Sequence, residues 1–259
     1  MKRRTRTRWM LFGLVALLGA GVLAELKREE WALPQPLTTL DANTLEQVAV
    51  ECRNCRARRF EKTGGRWQMR EPYDLPADDD AVARLVAIAG APVRRRHAAT
   101  EFDAKKLGLD PPVAAARLGD IRIELGTTDA INGQRYVRFG DTIALVPERY
   151  GAWLLASPES ELDHHLHPPG LVLDAVRVDG AAHPELIVPW RQATTSQVRR
   201  SDGIVLDNAT KRLVDLVTKD GRTIRYAVAR SEGRYVALRE DLPLAYTLEE
   251  AQMQHLLPR

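Results

Sequence analysis

Residues 113–146 read VAAARLGDIRIELGTTDAINGQRYVRFGDTIALV, and this stretch decides the fold class. Val113 to Leu118 and Ile121 to Leu125 are apolar-rich runs separated by Gly119-Asp120. Gln134 to Phe139 and Thr142 to Val146 repeat the arrangement around Gly140-Asp141. Short runs of β-formers separated by glycine-containing turns specify antiparallel hairpins. Pro147 follows, and the spacing predicts a helix from there to about Ala156, with proline in the first turn, where a missing N–H is tolerated.

Upstream, Leu45 to Glu51 carries a strand signal. Ala57 to Lys62 and Arg66 to Arg70 flank Thr63-Gly64-Gly65, a second hairpin signal, and Trp67 is expected in the core. Pro76-Ala77-Asp78-Asp79-Asp80 precedes Val82, Leu85, Val86 and Ala89, spaced three and four apart. That pattern predicts a helix of about 12 residues whose acidic first turn favours the N-terminal dipole and free N–H groups. The three aspartates lack the alternating ligands and glycine of a calcium loop, so capping is the preferred reading. Asp103 to Leu107 is expected to be a short helix ended by Gly108.

Residues 157–170 (SPESELDHHLHPPG) read as a polar, proline-rich connection, and beyond them the pattern restarts. Strands are expected at Leu171 to Val178 and Glu185 to Trp190. Gln197 to Arg200 and Ile204 to Asp207 are expected to form a hairpin around Ser201-Asp202-Gly203. A strand pair is expected at Leu213 to Thr218 and Thr223 to Ala229, although Asn208 to Val217 also fits a helix. Arg234-Tyr235-Val236 echoes Arg135-Tyr136-Val137, and each is followed by an apolar strand and a terminal helix. The expectation is an α+β protein of two lobes of antiparallel sheet with few helices, a degenerate duplication whose second copy lacks the long helix.

The N-terminus supplies an address. Met1 to Arg8 carries five positive charges and no negative one, and Trp9 to Ala24 then runs 16 residues without a charge. As a helix that run is about 24 Å long, a little short of a hydrocarbon core of about 30 Å. A signal peptide cleaved after Ala24 and an uncleaved anchor both fit its length. Trp9 and Trp31 bracket it as interfacial residues, and Lys27 and Arg28 can snorkel at its outer end, which favours the anchor. The expected organisation is a cytoplasmic basic tail (1–8), a single-pass transmembrane helix (9–26) and a stalk (27–40). A first lobe (41–157), a linker (158–170) and a second lobe (171–259) follow, on the periplasmic side of a bacterial cytoplasmic membrane.

This segment also explains the charge balance. The whole chain is net +3, but without the first eight residues it is net −2. Nucleic-acid binding therefore has no electrostatic basis at the level of the whole domain, and no nucleic-acid partner is expected. The arginines at 53, 56, 58 and 59, and Arg94-Arg95-Arg96, read as solvated faces, with anionic lipid headgroups as the sharper alternative for the first run.

The order of elements resembles the bacterial family known as domain of unknown function 4340. The resemblance is carried by the hairpin ending at Trp67, Pro76-Ala77-Asp78 before a helix, and Leu107-Gly108-Leu109-Asp110-Pro111-Pro112. The Gly126 strand end and Arg135-Tyr136-Val137 complete it. It covers about residues 45–165 closely and the second lobe loosely. It implies a single-pass protein with its domain outside the cytoplasmic membrane, and some relatives are tied to ABC-type transport systems of the gliding-motility kind. The family has no established catalytic residues to carry over.

Cys52 and Cys55 are the chain's two cysteines and lie outside that resemblance. A structural disulfide, free thiols, and redox or metal chemistry are all open. Strand-like flanks disfavour a thioredoxin-type pair, and no second C-x-x-C completes a zinc site. His164, His165 and His167 are weak metal candidates, because adjacent histidines diverge and Pro168-Pro169 prevents helical placement. No serine elbow, phosphate-binding glycine loop or His-Glu-x-x-His occurs. The expected function is a non-enzymatic, cofactor-free, membrane-anchored binding or adaptor module with an envelope protein partner. The alternative is an envelope redox or metal-dependent enzyme using Cys52/Cys55 or the His164–His167 cluster.

Overall fold

The structure is a computed structural model that describes residues 33–258. The basic tail, the apolar segment, Trp9 and Trp31 lie outside the described residues. Among the described residues no helix is long and apolar enough to cross a membrane.

The fold is α+β, built on two antiparallel sheets with short helices. The first sheet has nine strands. In spatial order they are Leu75–Pro76, Arg66–Glu71, Arg58–Thr63, Gln47–Cys52, Ala114–Leu118, Ile121–Thr128, Gln134–Phe139, Thr142–Pro147 and Arg96–Ala98. The second has seven: Ala181–Ala182, Leu173–Val178, Arg212–Thr218, Thr223–Ser231, Arg234–Arg239, Leu244–Leu248 and Gln197–Arg200.

The two sheets share one wiring plan. Each opens with a strand that ends up beside the first strand of a later four-strand meander. In each, a hairpin partner and a helix follow, and then a strand that pairs with the meander's last strand. That closing pair is Ala98 with Thr142 in one sheet and Arg200 with Leu244 in the other, each 44 residues apart in sequence. The two Arg-Tyr-Val triplets hold corresponding places: Arg135 lies opposite Thr128, and Arg234 opposite Ser231.

The predicted strands at 113–146 form in register, with Val137 opposite Leu125 and Ala144. Leu118, Ile123, Leu125, Val137 and Val146 are fully buried. The helix after the aspartates runs Asp79–Val86 and continues as a 3-10 turn, Ala87–Gly90. Asp78 caps it, accepting from the amides of Asp80 at 2.8 Å and Ala81 at 3.1 Å. Ala81, Val82, Leu85 and Val86 form its buried face.

Four expectations fail. Glu185 to Trp190 is not a strand but a 3-10 turn, Pro184–Leu186, leading into a helix, Ile187–Gln192. Pro189 is unsuited to a central strand but tolerated in a helix's first turn. The second lobe thus carries a short helix at the matching place and lacks the long one, as expected. Ile204 to Asp207 forms no hairpin with Gln197–Arg200, which instead covers the edge of Leu244–Leu248, a strand buried along its whole length. The correspondence with the Thr63-Gly64-Gly65 turn thus falls away. Asp103 to Leu107 makes a single turn, ended by Gly108 at φ +65°. Finally, part of the expected stalk is integral to the first lobe. Gln35–Pro36 pairs with Pro92–Val93, and Leu37 is 1% exposed.

The turn at 103–108 explains Gly126. The Leu107 carbonyl lies directly over it, accepting from the Thr127 amide at 2.8 Å, so a Cβ at 126 would collide with that oxygen. At Gly90 a Cβ meets nothing within 4 Å, and φ is not positive. Gly126→Ala is expected to lose about 1–3 kcal/mol. Gly90→Ala is expected to be neutral or to gain up to about 1 kcal/mol. Urea-unfolding midpoints of the two variants check this contrast.

Candidate functional site

The densest cluster of buried charge lies where the two sheets meet, on the connection expected to be a polar linker. Residues 158–161 form a 3-10 turn in which Glu159 and Glu161 are each 3% exposed. Leu162, Leu166 and His167 are buried as well.

Facing them are two arginines of the first sheet. Arg58 is 1% exposed. Its Nη1 donates to Glu161 Oε1 at 2.6 Å and to the Ala156 carbonyl at 2.7 Å, and its Nη2 donates to the Leu154 carbonyl. Leu154 closes the helix Arg149–Leu154 and Ala156 lies just beyond it, so neither carbonyl has a helical partner. Arg56 Nη1 donates to the Tyr73 hydroxyl at 2.7 Å and to Glu159 Oε1 at 3.1 Å. Tyr73 donates to the same oxygen at 2.5 Å, and the Arg56 guanidinium lies 4.9 Å from the Tyr73 ring centre. The reading of these arginines as a solvated face is therefore wrong for Arg58 and only partly right for Arg56.

The connection is also stitched to both lobes through its backbone. The Asp78 amide donates to the Glu161 carbonyl, and the Asp163 amide to the Pro76 carbonyl, each at 2.9 Å. On the other side, the Leu166 amide donates to the Ala193 carbonyl at 3.0 Å, and the Thr195 amide to the His164 carbonyl at 2.8 Å. The Tyr226 hydroxyl, buried in the second sheet, donates to the Leu166 carbonyl at 2.5 Å. The segment is a structural clamp.

Burial sets the protonation of the clamp. Desolvation pushes the Glu161 carboxyl up to about 8; the pull of Arg58 is smaller, and Glu159 adds to the rise. Burial likewise lowers the Arg58 guanidinium and raises the Tyr73 hydroxyl. Glu161 Oε2 and Arg58 Nε have no hydrogen-bond partner.

The histidines do not converge. His165 is exposed and pairs through Nδ1 with Asp163 at 2.7 Å. His167 is 4% exposed, its Nε2 has no partner, and burial lowers its pKa. Among the described residues no group of three or more His, Cys, Asp or Glu is placed to hold a metal ion. Cys52 and Cys55 are joined by a disulfide across the Arg53-Asn54 turn, with Cα atoms 5.4 Å apart. Cys55 borders a surface cavity of about 330 Å³ with Arg53, Asn54, Val113 and Leu155.

Sequence reasoning missed the clamp, although two signals for it were present. Arg58 lies two residues before Phe60, which is fully buried on the same strand, so strand alternation turns both inward. Arg56-Ala57-Arg58 and Glu159-Ser160-Glu161 also have matching charge spacing.

These features define a class: a two-sheet α+β protein whose connecting segment is held to the first lobe by arginine–carboxyl contacts and to the second by hydrogen bonds to its backbone. A family model described as Domain of unknown function (DUF4340) matches residues 67–258, about three quarters of the chain. The chain belongs to that family. The match takes in the second lobe, expected to resemble the family only loosely, and begins after the strands that carry the disulfide and Arg58. No curated protein and no solved structure matches the chain.

Arg58→Ala is expected to lose about 3–5 kcal/mol, because the Glu161 carboxyl and the Leu154 and Ala156 carbonyls are left buried without their donor, and joint replacement of Arg58 and Glu161 by Met should recover part of that. The pH dependence has a definite sign. A carboxyl raised in the folded state binds its proton more tightly there, so its contribution to stability falls as pH rises from about 4.5 to about 8. Glu161→Gln should remove that fall, which unfolding midpoints at pH 5, 6.5 and 8 will show.

Proposed function

We propose that this chain is a membrane-anchored, extracytoplasmic binding or adaptor module serving an envelope complex. One observation carries the reading: a basic stretch followed by 16 uncharged residues precedes a domain whose buried charges are consumed in joining its own lobes. Arg58, Glu159 and Glu161 are too enclosed to meet a substrate, and they hold two sheets in one fixed relation. Shared wiring supports descent of the two lobes from one duplicated unit. Edge strands such as Gln197–Arg200 offer unpaired backbone groups for docking an extended partner segment. The family resemblance makes an ABC-type transport complex the leading setting.

The Cys55 cavity favours a second reading, thiol–disulfide exchange with a partner dithiol that is oxidised as Cys52–Cys55 is reduced. The double variant C52S/C55S separates the two. The adaptor reading expects full function and a loss of about 2 kcal/mol of stability, whereas the exchange reading expects loss of function.

The adaptor reading is tested by mild crosslinking of the intact membrane protein followed by purification. Recovery of one envelope protein in near-stoichiometric yield is expected; recovery of this chain alone would count against it. A C-terminal reporter active only outside the cytoplasm should be active, and a cytoplasm-only reporter silent.

A further inference from the structure

Arg56 and Arg58 enter the clamp from the same hairpin, yet the fold holds them differently. The pairing of Gln47–Cys52 with Arg58–Thr63 ends at Val50 opposite Arg58, so Arg58 is fixed by the sheet itself. Residues 51–57 close the hairpin, and Arg56 and Ala57 belong to no strand. The first part of this connection is secured to the strand Ala114–Leu118 and to the residues just before it. Cys52 pairs with Ala114, the Arg53 amide donates to the Val113 carbonyl at 3.0 Å, and the Arg53 guanidinium donates to the Pro111 carbonyl. The Cys52–Cys55 disulfide carries that hold across the turn, to the residue directly before Arg56.

Arg56 has a demanding position to keep. Its Nη1 is shared between the Tyr73 hydroxyl and Glu159 Oε1, and its guanidinium lies over the Tyr73 ring. The Glu159 side chain is 4% exposed and that of Arg56 is 37%, so the guanidinium reaches inward from the rim. An arginine on an unbraced loop loses more conformational entropy in making such contacts than one on a cross-linked turn.

The brace is within reach of a partner. Cys55 is half-buried and lines the surface cavity of about 330 Å³ with Arg53, whose positive charge favours an approaching thiolate. We propose that Cys52–Cys55 is a redox-sensitive brace for the clamp. A partner dithiol that reduces it frees Arg56 and loosens the connection at Glu159, while Arg58 keeps its hold on Glu161. In the step, one partner thiolate attacks the Cys55 sulfur and breaks its bond to Cys52, which leaves as a thiolate. The partner's second thiol then displaces Cys55 from the mixed disulfide. Both cysteines end as thiols, with the protons and the electron pair of the dithiol, which ends as a disulfide. The step rests on the exchange reading above for its reductant; the loosening of the clamp does not.

The test is hydrogen exchange read by mass spectrometry on the full chain in detergent, before and after reduction with dithiothreitol, with thiols counted in the folded protein. Segment 158–166 of the connection is compared with segment 212–231 of the second sheet. Reduction is expected to speed exchange in 158–166 roughly tenfold more than in 212–231. R56Q, in which the braced contact is already gone, should lose that difference. R70Q, which removes an arginine paired with Glu61 and Asp74, should keep it. Y73F deletes one hydroxyl from the same cluster and should shrink the difference, which keeps the test open if R56Q does not fold. Equal acceleration of both segments overturns the brace and leaves the exchange reading standing. So does a difference that survives undiminished in R56Q or, where that variant is unfolded, in Y73F. A folded chain that yields no thiols in excess dithiothreitol overturns the brace and the exchange reading together.

Discussion

The contact between Arg58 and Glu161 is the constraint on which the relation of the two lobes depends. Taking the guanidinium out of water is expensive, and removing the groups that accept from it leaves an uncompensated ion, whereas burial keeps the Glu161 proton in place up to about pH 8. The structure offsets this by giving the guanidinium a carboxyl group and two carbonyls at a helix end. One side chain therefore ties a central strand, a helix terminus and the inter-sheet connection together. Glu159 repeats the arrangement alongside, with Arg56 and Tyr73. Because the connection also bonds through its backbone to Pro76, Asp78, Ala193 and Thr195, its path fixes the second sheet against the first.

Most strands were legible from composition and turn chemistry, since hairpins are local. Gly119-Asp120, Gly140-Asp141 and Thr63-Gly64-Gly65 each mark a real reversal between paired strands. Failures occurred where long-range packing chose between local options. Leu186 and Trp190 lie four apart and are both buried, a helical spacing hidden in a run rich in β-formers. Trp190 finds its indole partner in the Leu256 carbonyl, 66 residues away, which no local window contains. The clamp was illegible for the same reason. A run of acidic residues and prolines looks solvated until the opposing arginines, about a hundred positions earlier, are known to face it.

The two lobes use residues at matching places differently. Arg135 reaches the Glu148 carboxylate and the Gly126 carbonyl, joining the third meander strand to the strand beside it and to the residue before the helix Arg149–Leu154. Arg234, at the matching position, is exposed and makes no such contact among the described residues. The clamp is asymmetric too, since its arginines come from the first lobe and precede the span that matches the family.

The closing strand of each sheet has a consequence for the order of assembly. Arg96–Ala98 and Gln197–Arg200 precede the meanders whose last strands they join. A chain made from its N-terminus onward must produce each of these segments and then a further 44 residues before its partner exists. Neither sheet can be sealed as it emerges; each waits with an open edge, and contacts of such long sequence separation slow folding. The nascent protein therefore passes twice through a stage in which a strand-ready segment is exposed, which makes its synthesis, more than its finished form, the point of greatest vulnerability to mispairing.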